Sequence, residues 1–487
     1  MMLFIRLVLT LALPIFLGYG IVGLIFKNKT KISFLERFAL AWGIGIGLLG
    51  LEMFTLSLFG ISLNLITAAT PVLIFIAILL IYLMLNKITI FDLSSIKRFV
   101  SALVKMEDKN QARATAEKLL ILMIGLTIAY VFFDALVKPI VNFDDLWRQG
   151  CIAKIVFSTG KVITDQTLQL AGPHPFLNPL SQAWVYMGIG TWNDAIGKII
   201  FPLCYLSLLL ILYANLHKNM SRIYALLFTY LFTSLPLITY HAGTAYSDLM
   251  QTFYYSAGVI YLFQWMKQKE RPHLYFSALL LGIGNFVKQS GIPLWVIAAV
   301  VLFVYIFVEE KKEAKAGGTF ILVSVIVSAP WLFYQNSFLM RYLGNIGSQV
   351  TGIFSQAAVT GAEVAASSSL PYGPPTIAGI IYNLGRRMLT YADWQILWLV
   401  FILAIVFFGK YIWASKLKYL LLMIILDLLM IIYAFHNPVT YQFLVDGTLV
   451  NRTVMYQIPL TLFFISLSIG DLFMNKTEAD PSGTDKK

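Results

Sequence analysis

Apolar runs of about 20 residues recur along almost the whole chain, and each is long enough to cross a bilayer as a helix. By that template there are about thirteen, over 2–26, 38–59, 63–85, 119–140, 197–216, 222–240, 248–266, 273–287, 291–308, 318–337, 393–412, 416–435 and 454–473. In hydrocarbon a backbone must satisfy its own hydrogen bonds, so such runs fold as helices. The expected fold class is all-α, a polytopic integral membrane protein. Of the 487 residues, 59% are hydrophobic and 12% are charged, roughly half the charged share of a soluble domain. Little chain is left for such a domain. The first run has no cleavage-like flank of small residues and is read as a retained helix rather than a signal peptide.

The net charge of +12 would suit nucleic acid, but its distribution argues for topology instead. Lys and Arg crowd into alternate connections: Lys27–Arg37, Lys87–Lys118, Lys218–Arg222, Lys267–Arg271, Lys311–Lys315, Lys410–Lys418 and the tail from Lys476. That is the positive-inside pattern. It places the N-terminus and the loops 141–196, 241–247, 338–392 and 436–453 outside, and the tail in the cytoplasm. No nucleic-acid partner is expected. The two cysteines, Cys151 and Cys204, cannot make a disulfide framework and show no metal-ligand spacing.

Within the second run, Gly43 and Gly47 fit close helix packing, and Glu52 is an intramembrane acid suited to function or to helix pairing. The polar segment 86–118 reads as a cytoplasmic linker with an interfacial helix. The stretch Gly361–Pro375 reads as a mobile part of the second outer loop. No internal repeat is visible, which weakens a transporter reading.

The outer loop 141–196 opens on Val141-Asn142-Phe143-Asp144-Asp145. Two carboxylates at a bilayer rim are costly unless solvated or used. Asp144–Thr159 forms an expected amphipathic helix lying on the outer interface. Trp147, Cys151, Ile152, Ile155 and Val156 share one face, Arg148, Gln149 and Lys154 lie away from it, and Gly160 caps its end. Every other polar candidate also falls on the outer side: His174 between two prolines, His241 and Asp248 around a short loop, Lys288 in a hairpin, Arg386 and Arg387 before one span, and Arg452 before the last. Carboxylates with scattered cations suit a phosphate leaving group. A carboxylate takes a proton from an attacking hydroxyl while cations hold the phosphate. Plainer readings stand beside this one. Asp144 or Asp145 would cap the interfacial helix, Lys288, Arg386 and Arg452 would be headgroup anchors, His174 would be a turn residue, and Asp134 and Asp427 would serve helix pairing.

Several of these strings, in order, resemble the GT-C membrane glycosyltransferases, the fold of the protein O-mannosyltransferases and lipid A aminoarabinose transferases. Phe143-Asp144-Asp145-Leu146-Trp147 is similar to the acidic pair that opens the family's first outer loop. Gly172-Pro173-His174-Pro175 through Trp184 resembles its proline motif, with His174 where a basic residue often stands. Tyr246-Ser247-Asp248 resembles its second-loop acid. Gly282–Gly291, containing Lys288, resembles its glycine-rich hairpin, and Asn451-Arg452 through Pro459 its late arginine-to-proline stretch. The resemblance covers roughly 119–473 and implies a GT-C fold with about thirteen helices and an outer-face amphipathic loop. It divides the chain into N-terminal spans and a cytoplasmic linker over 1–118, a transmembrane catalytic module over 119–474, and a cytoplasmic tail over 475–487.

The function it implies is inverting transfer of a sugar from a polyprenyl-phosphate donor to a hydroxyl on a glycan, lipid or protein, at the outer face of what is expected to be a bacterial plasma membrane. The base is Asp144 or Asp145, with Asp144 favoured as the first residue past Phe143. Asp248 orients the acceptor or supports a divalent metal. His174, Lys288 and Arg452 hold the phosphate, with Arg386 and Arg387 as further candidates. A polysaccharide polymerase or ligase would need no acidic pair. A flippase or transporter of a lipid-linked glycan would place its charges along a central cavity.

Overall fold

The structure, a computed structural model, describes residues 1–26, 32–88, 111–172, 174–345 and 372–474. Pro173, most of the expected linker, the glycine- and serine-rich stretch up to residue 371 and the tail from Lys476 lie outside the described residues. All regular structure in the described residues is helical.

Ten described helices are long and apolar enough to cross a membrane, or eleven if one bent pair counts as a single span. This is a multi-pass membrane protein. Two of the thirteen expected runs fall short for a physical reason. Ser247–Gln268 carries Asp248, Gln251, Thr252, Ser256 and Gln264, and every residue from Ser247 to Met266 is buried. It faces protein on all sides and needs no lipid-facing stripe. Arg271–Gly284 is 14 residues long, which at about 1.5 Å per residue falls short of a roughly 30 Å hydrocarbon core. These two helices pack together as an interior hairpin.

The run 222–240 is broken. Arg222–Thr233 and Pro236–Ala242 meet at 73°. Pro236 cannot donate a backbone hydrogen bond, so the helix cannot continue through it. The Thr239 hydroxyl donates to the freed Thr233 carbonyl at 3.0 Å. The bend carries Tyr240, His241 and Gly243 toward the acidic pair.

The helices Met2–Phe26 and Phe34–Leu58 make the most extensive helix–helix contact of the fold. Their close approach is set by Gly18 and Gly45. A Cβ on Gly45 would lie 1.7 Å from the Pro14 carbonyl oxygen, and one on Gly18 1.8 Å from that of Ala41. Gly43 and Gly47 face Phe253 and Ile283 instead, so the glycines of this helix serve different neighbours around its circumference. Gly45→Val is expected to force the pair apart and lower the melting temperature in detergent, by more than the roughly 1–3 kcal/mol of ordinary overpacking, because backbone rather than a rotamer must move. A melting curve matching that of the unaltered protein would show that the contact is not rigid.

Charges separate to the two ends of the molecule. At one end Glu36 accepts from Lys218 and from the Tyr261 hydroxyl, each at 2.8 Å, Arg271 pairs with Glu313 at 2.8 Å, and Lys416, Lys418 and Tyr419 gather on Glu309. The acidic pair and its partners lie at the other end. Within the bundle Asp427 accepts from the Tyr255 hydroxyl at 2.6 Å, and Asp134 pairs with Lys138. Asp427 therefore pairs between helices as expected, whereas Asp134's ion pair lies along its own helix end. Cys151 and Cys204 are unbonded.

Candidate active site

The helix after the acidic pair departs from simple amphipathic form. Asp145–Gly150 is a π-helical turn, followed by the α-helix Cys151–Thr159, which ends on Gly160 at φ 69°. A Cβ on Gly150 would come within 3.1 Å of the Asp145 carbonyl oxygen, so glycine suits the wide turn. The turn resets the helical register. Ile152 and Val156 stay buried, but Trp147 turns outward with Phe143 and Leu146, and Gln149 turns inward. Trp147 thus leaves the face it was expected to share with Ile152 and Val156, and Gln149 joins that face. Such turns recur at functional sites. The outward residues suit contact with lipid at the interface.

Asp144 makes no capping hydrogen bond. Its Oδ2 accepts instead from Arg452 Nη1 at 2.7 Å. Arg452 in turn clasps Asp248 Oδ2 through Nε at 3.0 Å and Nη2 at 2.9 Å, with its guanidinium 4.3 Å over the Tyr246 ring. Asp248 is fully buried. Its Oδ1 accepts from Lys288 Nζ at 2.5 Å and from the Tyr456 hydroxyl at 2.7 Å. Asp144, Asp248, Lys288 and Arg452, spread over three hundred residues of sequence, therefore form one ion network. Asp248 spends both oxygens on these donors, which makes it an organiser of cations rather than an open ligand position for a metal or an acceptor. Among the described residues no group of three or more His, Cys, Asp or Glu is placed to hold a metal ion.

Asp145 looks the other way. Its Oδ2 accepts from the Ala245 backbone N–H at 3.0 Å and from Asn142 Nδ2 at 3.2 Å, while its Oδ1 has no partner. Burial, only partly opposed by those hydrogen bonds, pushes its pKa up to about 7. The same Ala245 is held from the other side, because its carbonyl accepts from Asn178 Nδ2 at 2.7 Å. That amide also donates to the Ser247 hydroxyl at 2.9 Å. Asn178 lies at the start of the helix Leu177–Ile189, whose first N–H donates to the Phe286 carbonyl at 3.2 Å. The proline-rich segment thus anchors both the loop leading to Asp248 and the hairpin carrying Lys288.

His174 faces the network. Burial first, then the Arg148 and Lys288 charges, lower its pKa to about 4, so at neutral pH it is an uncharged hydrogen-bonding group rather than a fixed cation. Burial also pulls the Lys288 ammonium below the ordinary lysine range, with Asp248 opposing. Arg386 and Arg387 stay apart. Arg387 donates to the Val445 carbonyl at 2.9 Å and stacks 4.2 Å over Tyr391, and Arg386 lies 5.9 Å from the same ring. Neither is joined to the Asp248 network by a described hydrogen bond or ion pair.

Sequence reading missed three participants. Tyr456 and Asn178 sat inside quoted strings, but a Tyr or Asn in an apolar run carries no sign of its partner. Lys198 had no signal beyond a charge at the start of a span. It is 3% exposed, and its ammonium donates to the carbonyls of Gly243 at 3.2 Å and Pro139 at 3.4 Å. No family model, curated protein or solved structure matches this chain.

Proposed function

We propose that the protein is an inverting glycosyltransferase of GT-C type that uses a polyprenyl-phosphate sugar. The carrying observation is the network in which Lys288 and Arg452 are drawn together by Asp248 beside an acidic pair. Lys and Arg bear more N–H donors than Asp248 and Asp144 accept, and the remainder suit phosphate oxygens. The half-exposed Asp144 already sets one anionic oxygen on Arg452, which marks where a phosphate oxygen fits.

Inverting displacement needs the base across the sugar carbon from the phosphate. Asp144 touches the phosphate-holding Arg452 directly and is poorly placed for that. Asp145 is set back from the cations, keeps one oxygen unpartnered, and has a pKa suited to a general base near neutral pH. We therefore assign the base to Asp145, and the orientation of Arg452 to Asp144. The acceptor hydroxyl gives its proton to Asp145, its oxygen bonds to the sugar's anomeric carbon, and the bond from that carbon to the phosphate oxygen breaks. The electron pair leaves with polyprenyl phosphate, whose charge Lys288 and Arg452 receive.

In nanodiscs, the protein is expected to bind labelled polyprenyl phosphate saturably. One lost charge-assisted hydrogen bond is worth about 1.5–3 kcal/mol, so Lys288→Ala is expected to weaken binding roughly 10–100-fold. No saturable binding by the unaltered protein, or equal affinity in the variant, would overturn the reading.

A further inference from the structure

On the side of Asp145 away from the ion network lies a cavity of about 440 Å³, within the roughly 300–1,000 Å³ typical of small-molecule sites. Its walls come from the last turns of the helix Gln111–Val137, the bent segment Pro236–Ala242 and the loop after it. Tyr130, Asp134, Lys138, Asp145, Lys198 and Tyr240 line it.

The chemistry of this lining is specific. Tyr130 is 56% and Tyr240 50% exposed, so aromatic surface of both is available at the cavity. Asp134 and Lys138 neutralise each other. Lys198 is a buried ammonium whose described hydrogen-bond partners are backbone carbonyls. Asn142, which also lines the cavity, takes the Tyr240 hydroxyl on its Oδ1 at 2.8 Å and gives its amide to Asp145. Two acids and two lysines leave no large excess of either sign, and the lining holds both donors and acceptors. Such a lining suits an uncharged ring bearing several hydroxyls on one face and C–H groups on the other. Hydroxyls use both donors and acceptors, and aromatic faces cover the C–H side.

We infer that this cavity binds a neutral sugar unit of the acceptor and presents one of its hydroxyls to Asp145. The inference rests on the glycosyltransferase reading and adds the acceptor's class to it. Asp145 lines the cavity while its chain neighbour Asp144 belongs to the ion network, so a sugar seated here and a phosphate seated on Lys288 and Arg452 would flank the reacting carbon from opposite sides.

The test uses protein in nanodiscs and three probes followed by saturation-transfer NMR: methyl β-glucoside, octyl β-glucoside below its micelle concentration, and inorganic phosphate. Both glucosides are expected to give saturable transfer. If the acceptor sugar is lipid-borne, octyl glucoside binds more tightly than the methyl glycoside. If the sugar is free, the two bind alike. Tyr130→Ala, at a largely exposed position, and Lys198→Met are each expected to weaken glucoside binding about tenfold, with polyprenyl phosphate binding unchanged. Lys288→Ala is expected to do the reverse. Glucosides that fail to bind, or that bind equally to Tyr130→Ala and Lys198→Met, would overturn the cavity assignment and leave the donor site standing. Phosphate binding abolished by Lys198→Met would show an anion site and also overturn it. Glucoside binding without any polyprenyl phosphate binding would instead sink the glycosyltransferase reading.

Discussion

Asp145→Asn is expected to cut sugar transfer by roughly 10²–10⁴-fold, the usual range for loss of a general base. The amide oxygen of Asn can still accept the Ala245 N–H, so the loop before Asp248 keeps its anchor and donor binding persists. What is lost is an oxygen able to take a proton. A base must be deprotonated to act. With the Asp145 pKa raised to about 7, transfer by the unaltered protein should rise as pH passes upward through about 7 and level off above it, and the residual rate of Asp145→Asn should show no such step. Asp144→Asn is expected to lose far less, since an amide oxygen still meets Arg452. Measuring transfer from a labelled polyprenyl-phosphate hexose across pH in proteoliposomes separates the two. If Asp144→Asn is the inactive variant and Asp145→Asn keeps the pH step, the assignment within the pair is reversed.

Asp248→Ala should produce the largest change in stability. Removing one member of a buried ion pair costs about 3–5 kcal/mol, because the remaining charge stays desolvated without a partner. Here both Lys288 and the clasped side of Arg452 would be stranded, and the Tyr456 hydroxyl would lose its acceptor. A sharply lower melting temperature is expected, together with loss of transfer. The double variant Asp248→Ala/Lys288→Met should recover part of the loss, since it also removes one stranded charge. Purely additive losses would mean that Asp248 and Lys288 are not energetically coupled.

The apolar runs were legible because a bilayer demands uninterrupted hydrophobicity, and most appear as helices within a few residues of their expected ends. Besides the run broken at Pro236, two expected spans fall short, and they share a cause. Ser247–Gln268 and Arg271–Gly284 are wrapped in protein, so they are free of the length and apolarity rules that make a span readable. Asp144, Asp248, Lys288 and Arg452 could be picked out as costly charges near span ends, but nothing local says that they meet, since ion pairing across distant helices leaves no periodic trace. The face of the interfacial helix was misjudged at Trp147 and Gln149 because a π-helical turn inserts a register shift that a 3.6-residue period cannot foresee. His174 was expected among the phosphate-holding residues, and its burial, which with the nearby Arg148 and Lys288 charges keeps it neutral, cannot be read from its place between two prolines. Lys198 looked like one more charge at a span end, and its burial against two carbonyls depends on a bend in a different helix.

The Ala245 peptide is gripped on its N–H side by Asp145 and on its carbonyl side by Asn178, and Asn178's own helix is tied to the Lys288 hairpin. An alteration at either gripping residue is felt at once by segments widely separated along the chain. Substitutions of Asp145 and Asn178 are therefore expected to be non-additive, whereas Arg271 and Glu313 at the far end share no partner with this loop.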